Sequence, residues 1–269
     1  MKKRYGLVFF LAMPAGAEVP PFEATADIRQ ADIVILGEIH DNAEHHLGQA
    51  ALMAQLKPKA VVFEMLSPAQ ADTFNRNPRD DLDAAALAMA WASSGWPAFD
   101  LYRPVFGALG DTPVVGAAAP RPQVRAASTD GAAATFGPKA ALFGLDQPLP
   151  KDQLAQRSAM QFDAHCGAMP LEMMGGMVEA QRLRDAWFSK SALDALRTFG
   201  APVVVIAGNG HARRDWGMPA AIARAAKTVT VHSIGFVELP EPQNDQRFDT
   251  VFPTPAAQRD DPCAAFTSQ

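Results

Sequence analysis

The chain is poor in cysteine, with only Cys166 and Cys263 among 269 residues, and poor in tyrosine, with only Tyr5 and Tyr102. Two distant cysteines with no C-x-x-C beside them exclude a cysteine-rich structural zinc site. Basic runs are missing as well. No Lys/Arg stretch carries interleaved aromatics, and the net charge is −5 with a pI near 5.7, so the electrostatic footprint of a nucleic-acid partner is absent. The sequence shows no internal repeat. No apolar run approaches the roughly 20 residues that a membrane-spanning helix needs. What remains is an ordinary globular composition, 48% hydrophobic and 20% charged, in a length suited to one large domain or two small ones.

The N-terminus carries a compartment signal. Lys2-Lys3-Arg4 is a basic n-region, residues 6–13 form a short apolar h-region, and Ala15-Gly16-Ala17 is an A-x-A cleavage site. The expectation is a signal peptide over residues 1–17 and a soluble periplasmic or secreted chain beginning at Glu18. No cysteine lies near the cleavage site to carry a lipid anchor. An even pair of cysteines in an oxidising compartment predicts a Cys166–Cys263 disulfide that ties the C-terminal tail to a mid-chain helix; two separate buried thiols are the alternative.

Between these ends, short apolar segments alternate with helical ones. Strands are predicted at residues 32–38, 60–65, 113–119, 202–208 and 228–235. Unbroken apolar runs without polar alternation mark strands buried on both faces. The predicted fold is therefore α/β, a mostly parallel sheet flanked by helices. The domain spans residues 18–240, followed by a Pro-rich tail at 241–269 with one edge strand at 248–252. Two helical inserts, at about 67–110 and 151–199, exceed what simple crossovers need and are expected to cap the strand carboxyl ends. The second is read as a helix over 153–188, broken near Met169-Pro170, then a separate short helix over 191–199. Residues 123–144 suit helix and loop equally.

Three strands end in ionisable side chains: Glu38 and His40 after the first, Glu64 after the second, His211 after the Val203-Val204-Val205-Ile206 run. Parallel strands present their carboxyl ends along one edge, where α/β proteins build sites. Two carboxylates and two imidazoles there suit metal binding or acid–base chemistry. A plainer reading is a polar network, with His40 capping a helix and Glu64 paired with Arg213. His45 and His46 read as solvated surface histidines, and His232 as a core residue. His165 beside Cys166 hints at a cysteine ligand, but the disulfide claims that sulfur.

Ile35-Leu36-Gly37-Glu38-Ile39-His40-Asp41-Asn42, Val62-Phe63-Glu64-Met65, and Gly208-Asn209-Gly210-His211-Ala212-Arg213 with Gly217-Met218-Pro219 resemble the ChaN haem-binding uptake proteins of the Tiki superfamily. Ala180-Gln181-Arg182-Leu183-Arg184-Asp185 resembles that family's A-Q-x-x-x-D helix. The resemblance runs from about Asp27 to Phe236. It implies an exported haem-binding protein of iron acquisition, working with haem-uptake machinery of the cell envelope, and leaves homo-oligomerisation open. It also implies a tyrosinate on the iron, for which Tyr102 is the candidate outside the signal. Trp96, Phe99 and Tyr102 fall on one helical face that suits a flat macrocycle, or equally a core contact. His211 is a further haem-binding candidate. Arg213, within the matched motif, leads Arg103 and Arg121 as a partner for the propionates.

The alternative class is an enzyme. The superfamily fold resembles metalloproteases and erythromycin esterases, and Gly37-Glu38-Ile39-His40 fits their G-x-x-H pattern, one residue short of G-E-x-x-H. In that reading Glu38, His40, Glu64 and His211 hold a divalent metal such as zinc, or a water, for hydrolysis. A third reading is a binding module with a vestigial site.

Overall fold

In the computed structural model, the described residues are 22–242, 245–261 and 263–264; the predicted signal lies outside them. Six strands, β1 (Ile33–Glu38), β2 (Ala60–Phe63), β3 (Val114–Gly116), β4 (Val203–Gly208), β5 (Val231–Glu238) and β6 (Thr250–Thr254), form one sheet in the order β3-β2-β4-β1-β5-β6. Every pairing is parallel. All six residues of β1 and of β4 are buried, as their unbroken apolar runs require.

Helices cover both faces, because side chains alternate across each strand. Val34, Leu36, Val61, Phe63, Val204 and Ile206 pack against α2 (Ala43–Leu56), α3 (Pro68–Arg76), α4 (Leu82–Ala88) and α5 (Phe99–Gly107). Ile33, Ile35, Val62, Val203 and Val205 pack against α9 (Met174–Phe199) and α11 (Met218–Ala225). The remaining helices are α1 (Ala26–Gln30), α6 (Arg121–Asp130), α7 (Ala132–Phe136), α8 (Lys151–Ala164) and α10 (Asn209–Ala212).

The strand order creates the crevice. From β1 the chain moves outward to β2 and β3, then returns with β4 between β2 and β1 before continuing to β5 and β6 on the other side. The direction of progression reverses beside β4, which is where open α/β sheets leave a gap beyond the strand ends. Gly37 holds this edge tight. A Cβ there would meet Asn209 Oδ1 at 2.3 Å and the Ile234 carbonyl at 2.9 Å.

Local signals place the elements that border the crevice. Asn42 caps α2 by accepting from the Glu44 N–H, and Ser67 with Gln70 forms a capping box at α3, with Pro68 in the first turn. Two sequence readings are sharpened. Residues 123–144 are mostly helical, as the greater part of α6, all of α7 and a 3-10 turn over Ala140–Phe143. The break at Met169-Pro170 is present, but no second break precedes residue 191: α9 runs uninterrupted for 26 residues. The edge strand expected at 248–252 is present as β6, which pairs with β5.

Beyond β6 the chain is fastened twice. Arg259 makes ion pairs with Asp41 and Glu238, and Cys263 is bonded to Cys166 with Cα atoms 5.3 Å apart. That bond closes a loop across 97 positions of sequence. Reduction, or the paired Cys166→Ser and Cys263→Ser change, should lower stability by up to about 4.7 kcal/mol on chain-entropy grounds. Urea unfolding with and without reductant checks this; coincident midpoints would show that the bond contributes nothing.

Candidate functional site

The floor of the crevice is a buried carboxylate. Glu38, the last residue of β1, is 2% exposed. Its Oε1 takes hydrogen bonds from His40 Nδ1 and the Tyr102 hydroxyl, both at 2.7 Å, and its Oε2 takes the Gln49 amide at 2.7 Å. His46 Nδ1 stands 3.5 Å from the same oxygen. Burial alone would push this carboxyl up; the bond from His40, with the fields of His46 and His40 and the Tyr102 bond, holds it below the usual range. His40 responds in the opposite sense. Burial works against its charge, but the bond to Glu38 and the nearby Glu64 push it up to about 9. It is therefore a cation at neutral pH, able to donate and not to act as a base.

Glu64 follows β2 directly. Its Oε1 lies 3.6 Å from His40 Nε2, and its Oε2 accepts the Gly208 N–H at 2.8 Å. Gly208 makes room there, since a Cβ would press to 3.0 Å from His40 Nε2. One turn past β4, on α10, His211 donates Nδ1–H to Asp185 at 2.6 Å, while its Nε2 is 3.1 Å from the Gln181 amide. Gln181 and Asp185 are four apart on α9, so one helix face presents both to one imidazole. Burial pulls His211 down, but Glu64 and Asp185 outweigh it, and the imidazole gains proton affinity.

A cleft of about 800 Å³ opens above this edge. Glu64 and His211 line its base. Met65, Trp96, Val124 and Phe188 supply apolar wall, and Arg121, Arg125 and Arg184 supply positive charge. The walls come from the start of α3, the turn at 94–96, α6 and α9, so both helical inserts contribute.

The comparisons fit this arrangement. A profile of the family described as haem-binding uptake, Tiki superfamily, ChaN matches residues 24–222. This chain belongs to the ChaN family. Among solved structures, ChaN of Campylobacter jejuni, described with cofacial heme binding, is 17% identical, with 84% of this chain and 88% of that one covered and a TM-score of 0.59. At that identity the likeness speaks for the fold. The type III effector HopBA1 is 12% identical over 91% of this chain and all of that one (100%), with a TM-score of 0.49. An erythromycin esterase EreC mutant in its open conformation is 15% identical over 85% and 78%, with a TM-score of 0.40. No match emerged among curated proteins.

Within this ChaN-family chain, the four strand-end residues do not form one cluster. Glu38, His40 and Glu64 are in contact, but His211 is turned to Asp185. Among the described residues, no group of three or more His, Cys, Asp or Glu side chains is placed to hold a metal ion. Tyr102 is not in the cleft. It is wholly buried beneath the floor, packed against Trp91 and His46, and burial with its bond to Glu38 drives the phenol far above its ordinary range. The expected aromatic stripe divides: Trp96 lies in the turn before α5 and lines the cleft, whereas Tyr102 packs into the core with Val105 and Phe106. Phenolate ligation of iron by Tyr102 does not suit that position.

Arg213 is also elsewhere. It is 4% exposed, forked onto Asp215 at 2.6 and 2.7 Å, and stacked 3.5 Å over the Trp216 ring. Arg103 is spent on Asp83 and Asp100 at an exposed site, whereas Arg121 does reach the cleft. The expected surface histidines His45 and His46 are both fully buried. His45 accepts the Ile39 N–H and meets Thr254; burial pushes it down to about 4. His165 meets its own helix's Gln161 carbonyl, and His232 lies half-buried in β5 against Thr250. Sequence reasoning missed Gln49, Arg125, Arg184 and the Asp185–His211 pairing. The A-Q-x-x-x-D spacing contained the signal for the last of these.

Two outcomes are expected. Tyr102→Phe leaves Glu38 one donor short and should cost about 1.5–3 kcal/mol of stability, read by urea unfolding; a change under 0.5 kcal/mol would remove that bond from the account. His45 binds its proton less readily folded than unfolded, so stability present above pH 6.5 falls as pH drops toward 4, by roughly 3 kcal/mol. His40 works the other way, its contribution complete below pH 6.5 and lost as pH rises through about 9. His45→Gln should flatten the acid limb alone, measured by unfolding at stepped pH.

Proposed function

We propose that this chain binds haem in the cleft beyond the ends of β2, β3 and β4, and that it serves haem uptake from an exported, soluble position in the periplasm or outside the cell. The observation that carries this reading is the cleft's composition. Apolar side chains of Trp96, Met65 and Phe188 face a volume of about 800 Å³, within the range that enclosed organic ligands fill, and three arginines border it. A flat macrocycle with two carboxylates matches those features. Arg121, Arg125 and Arg184 are the candidates for its propionates.

His211 is the residue that would ligate the iron. Its Nδ1–H is fixed by Asp185, the carboxylate–imidazole arrangement that orients a ligating nitrogen and raises its basicity. Gln181 contacts the other nitrogen and would give way to iron. Family membership and the disulfide, which suits an oxidising compartment, support the uptake role and the location. The hydrolase reading lacks comparable support, because Glu38 has both oxygens engaged and His40 is already protonated.

Haemin titrated into the mature protein should give a saturable Soret shift. His211→Ala should weaken binding markedly, and Asp185→Asn by about 10–100-fold. Tyr102→Phe should leave the shift intact. Absence of any saturable shift in the wild type removes the haem reading; loss with Tyr102→Phe and not with His211→Ala reverses the ligand choice.

A further inference from the structure

A second cavity lies behind the Asp185–His211 pair. It has a volume of about 100 Å³ and is lined in part by Arg157, Arg182, Arg224, Asp185, Asp215 and Trp216. Three guanidinium groups thus face a space too small for an organic cofactor. A cavity of this size admits a few waters or one small oxyanion.

Arg157 is the informative residue. It projects from α8 and is 8% exposed, which is rare for an arginine without a carboxylate partner. Its Nε has no hydrogen-bond partner among the described residues, and its one bond runs from Nη2 to the Trp216 carbonyl at 3.5 Å, the outer limit for such a contact. Its guanidinium lies 4.8 Å over the Trp216 ring, which positions it without neutralising it. Asp185 and Asp215 lie near enough for their charge to favour the cation, but neither forms an ion pair with it, so an anion in the cavity would compensate it further.

The acids that line the cavity are committed elsewhere. Asp185 is paired with His211, and Asp215 is forked by Arg213. Arg182 is satisfied by Glu179 and by the carbonyls of Gly144, Leu145 and Gln147. Arg224 is exposed at the rim, with its chain close to Gly144. The charge left without a local partner is therefore positive, from Arg157 and Arg224. Two guanidinium groups of fixed fork geometry select a multivalent oxyanion over a single carboxylate.

We propose that this cavity is a binding site for a small inorganic oxyanion of the phosphate or sulfate class, held by Arg157 and Arg224 and separate from the haem cleft. The test uses inorganic phosphate as the probe, titrated into the full mature chain by calorimetry. Saturable binding is expected, weakened about tenfold or more in Arg157→Gln and in the surface change Arg224→Gln, with Arg157→Lys retaining part of it. Phosphate should also raise the melting temperature of the wild type and not that of Arg157→Gln. Haemin titration of Arg224→Gln, at the exposed rim and away from His211, should match the wild type, which reads this site independently of the haem assignment. No saturable binding of phosphate or sulfate, or equal binding by wild type and both glutamine variants, overturns the proposal. Acetate binding as tightly as phosphate overturns the oxyanion class.

Discussion

The structure depends on one buried anion. Glu38 terminates one of the two central strands, both fully buried, and a carboxylate in that position is tolerable only if donors surround it. They come from three places: His40 from the turn after β1, Gln49 with His46 from α2, and Tyr102 from α5. One side chain thereby fixes the rotation of two helices against the sheet. The same network sets the charge of His40, which reaches toward Glu64, which in turn receives the N–H of Gly208 at the end of β4. Three adjacent strand ends are joined through polar contacts before any ligand enters.

Above this floor the site divides its labour. The Glu38 network has few unused groups and serves as a rigid base. His211 is different, because its two holders stand on one helix and its ring lines the open cleft. The chemistry available to a ligand is concentrated there and on the arginines of α6 and α9.

Much of this was legible in the sequence. The unbroken apolar runs announced a parallel sheet, since alternation is lost when both faces are covered. The polar residues after Ile35-Leu36-Gly37 marked the functional edge. What stayed hidden was direction. The spacing of Trp96, Phe99 and Tyr102 alone cannot say whether Tyr102 looks outward or inward; that depends on α5 packing onto the core, with Phe106 against Phe63 and Phe74. His45 and His46 carry no apolar signature, yet α2 turns both inward because Ile39, Glu38 and Thr254 offer them partners. Arg213 sits inside a matched motif but points to Asp215, two residues on, a pairing that motif spacing does not encode.

The length of α9 has an evolutionary consequence. Gln181, Arg184, Asp185 and Phe188 all reach the site from eight consecutive positions of one uninterrupted helix. Inserting or deleting one residue upstream within the helix would rotate all four by about 100°. The imidazole would lose both holders and the cleft an arginine and an aromatic wall in a single event. A loop beside the sheet can absorb a change in length, but this helix tolerates only substitution if the four side chains are to keep their places.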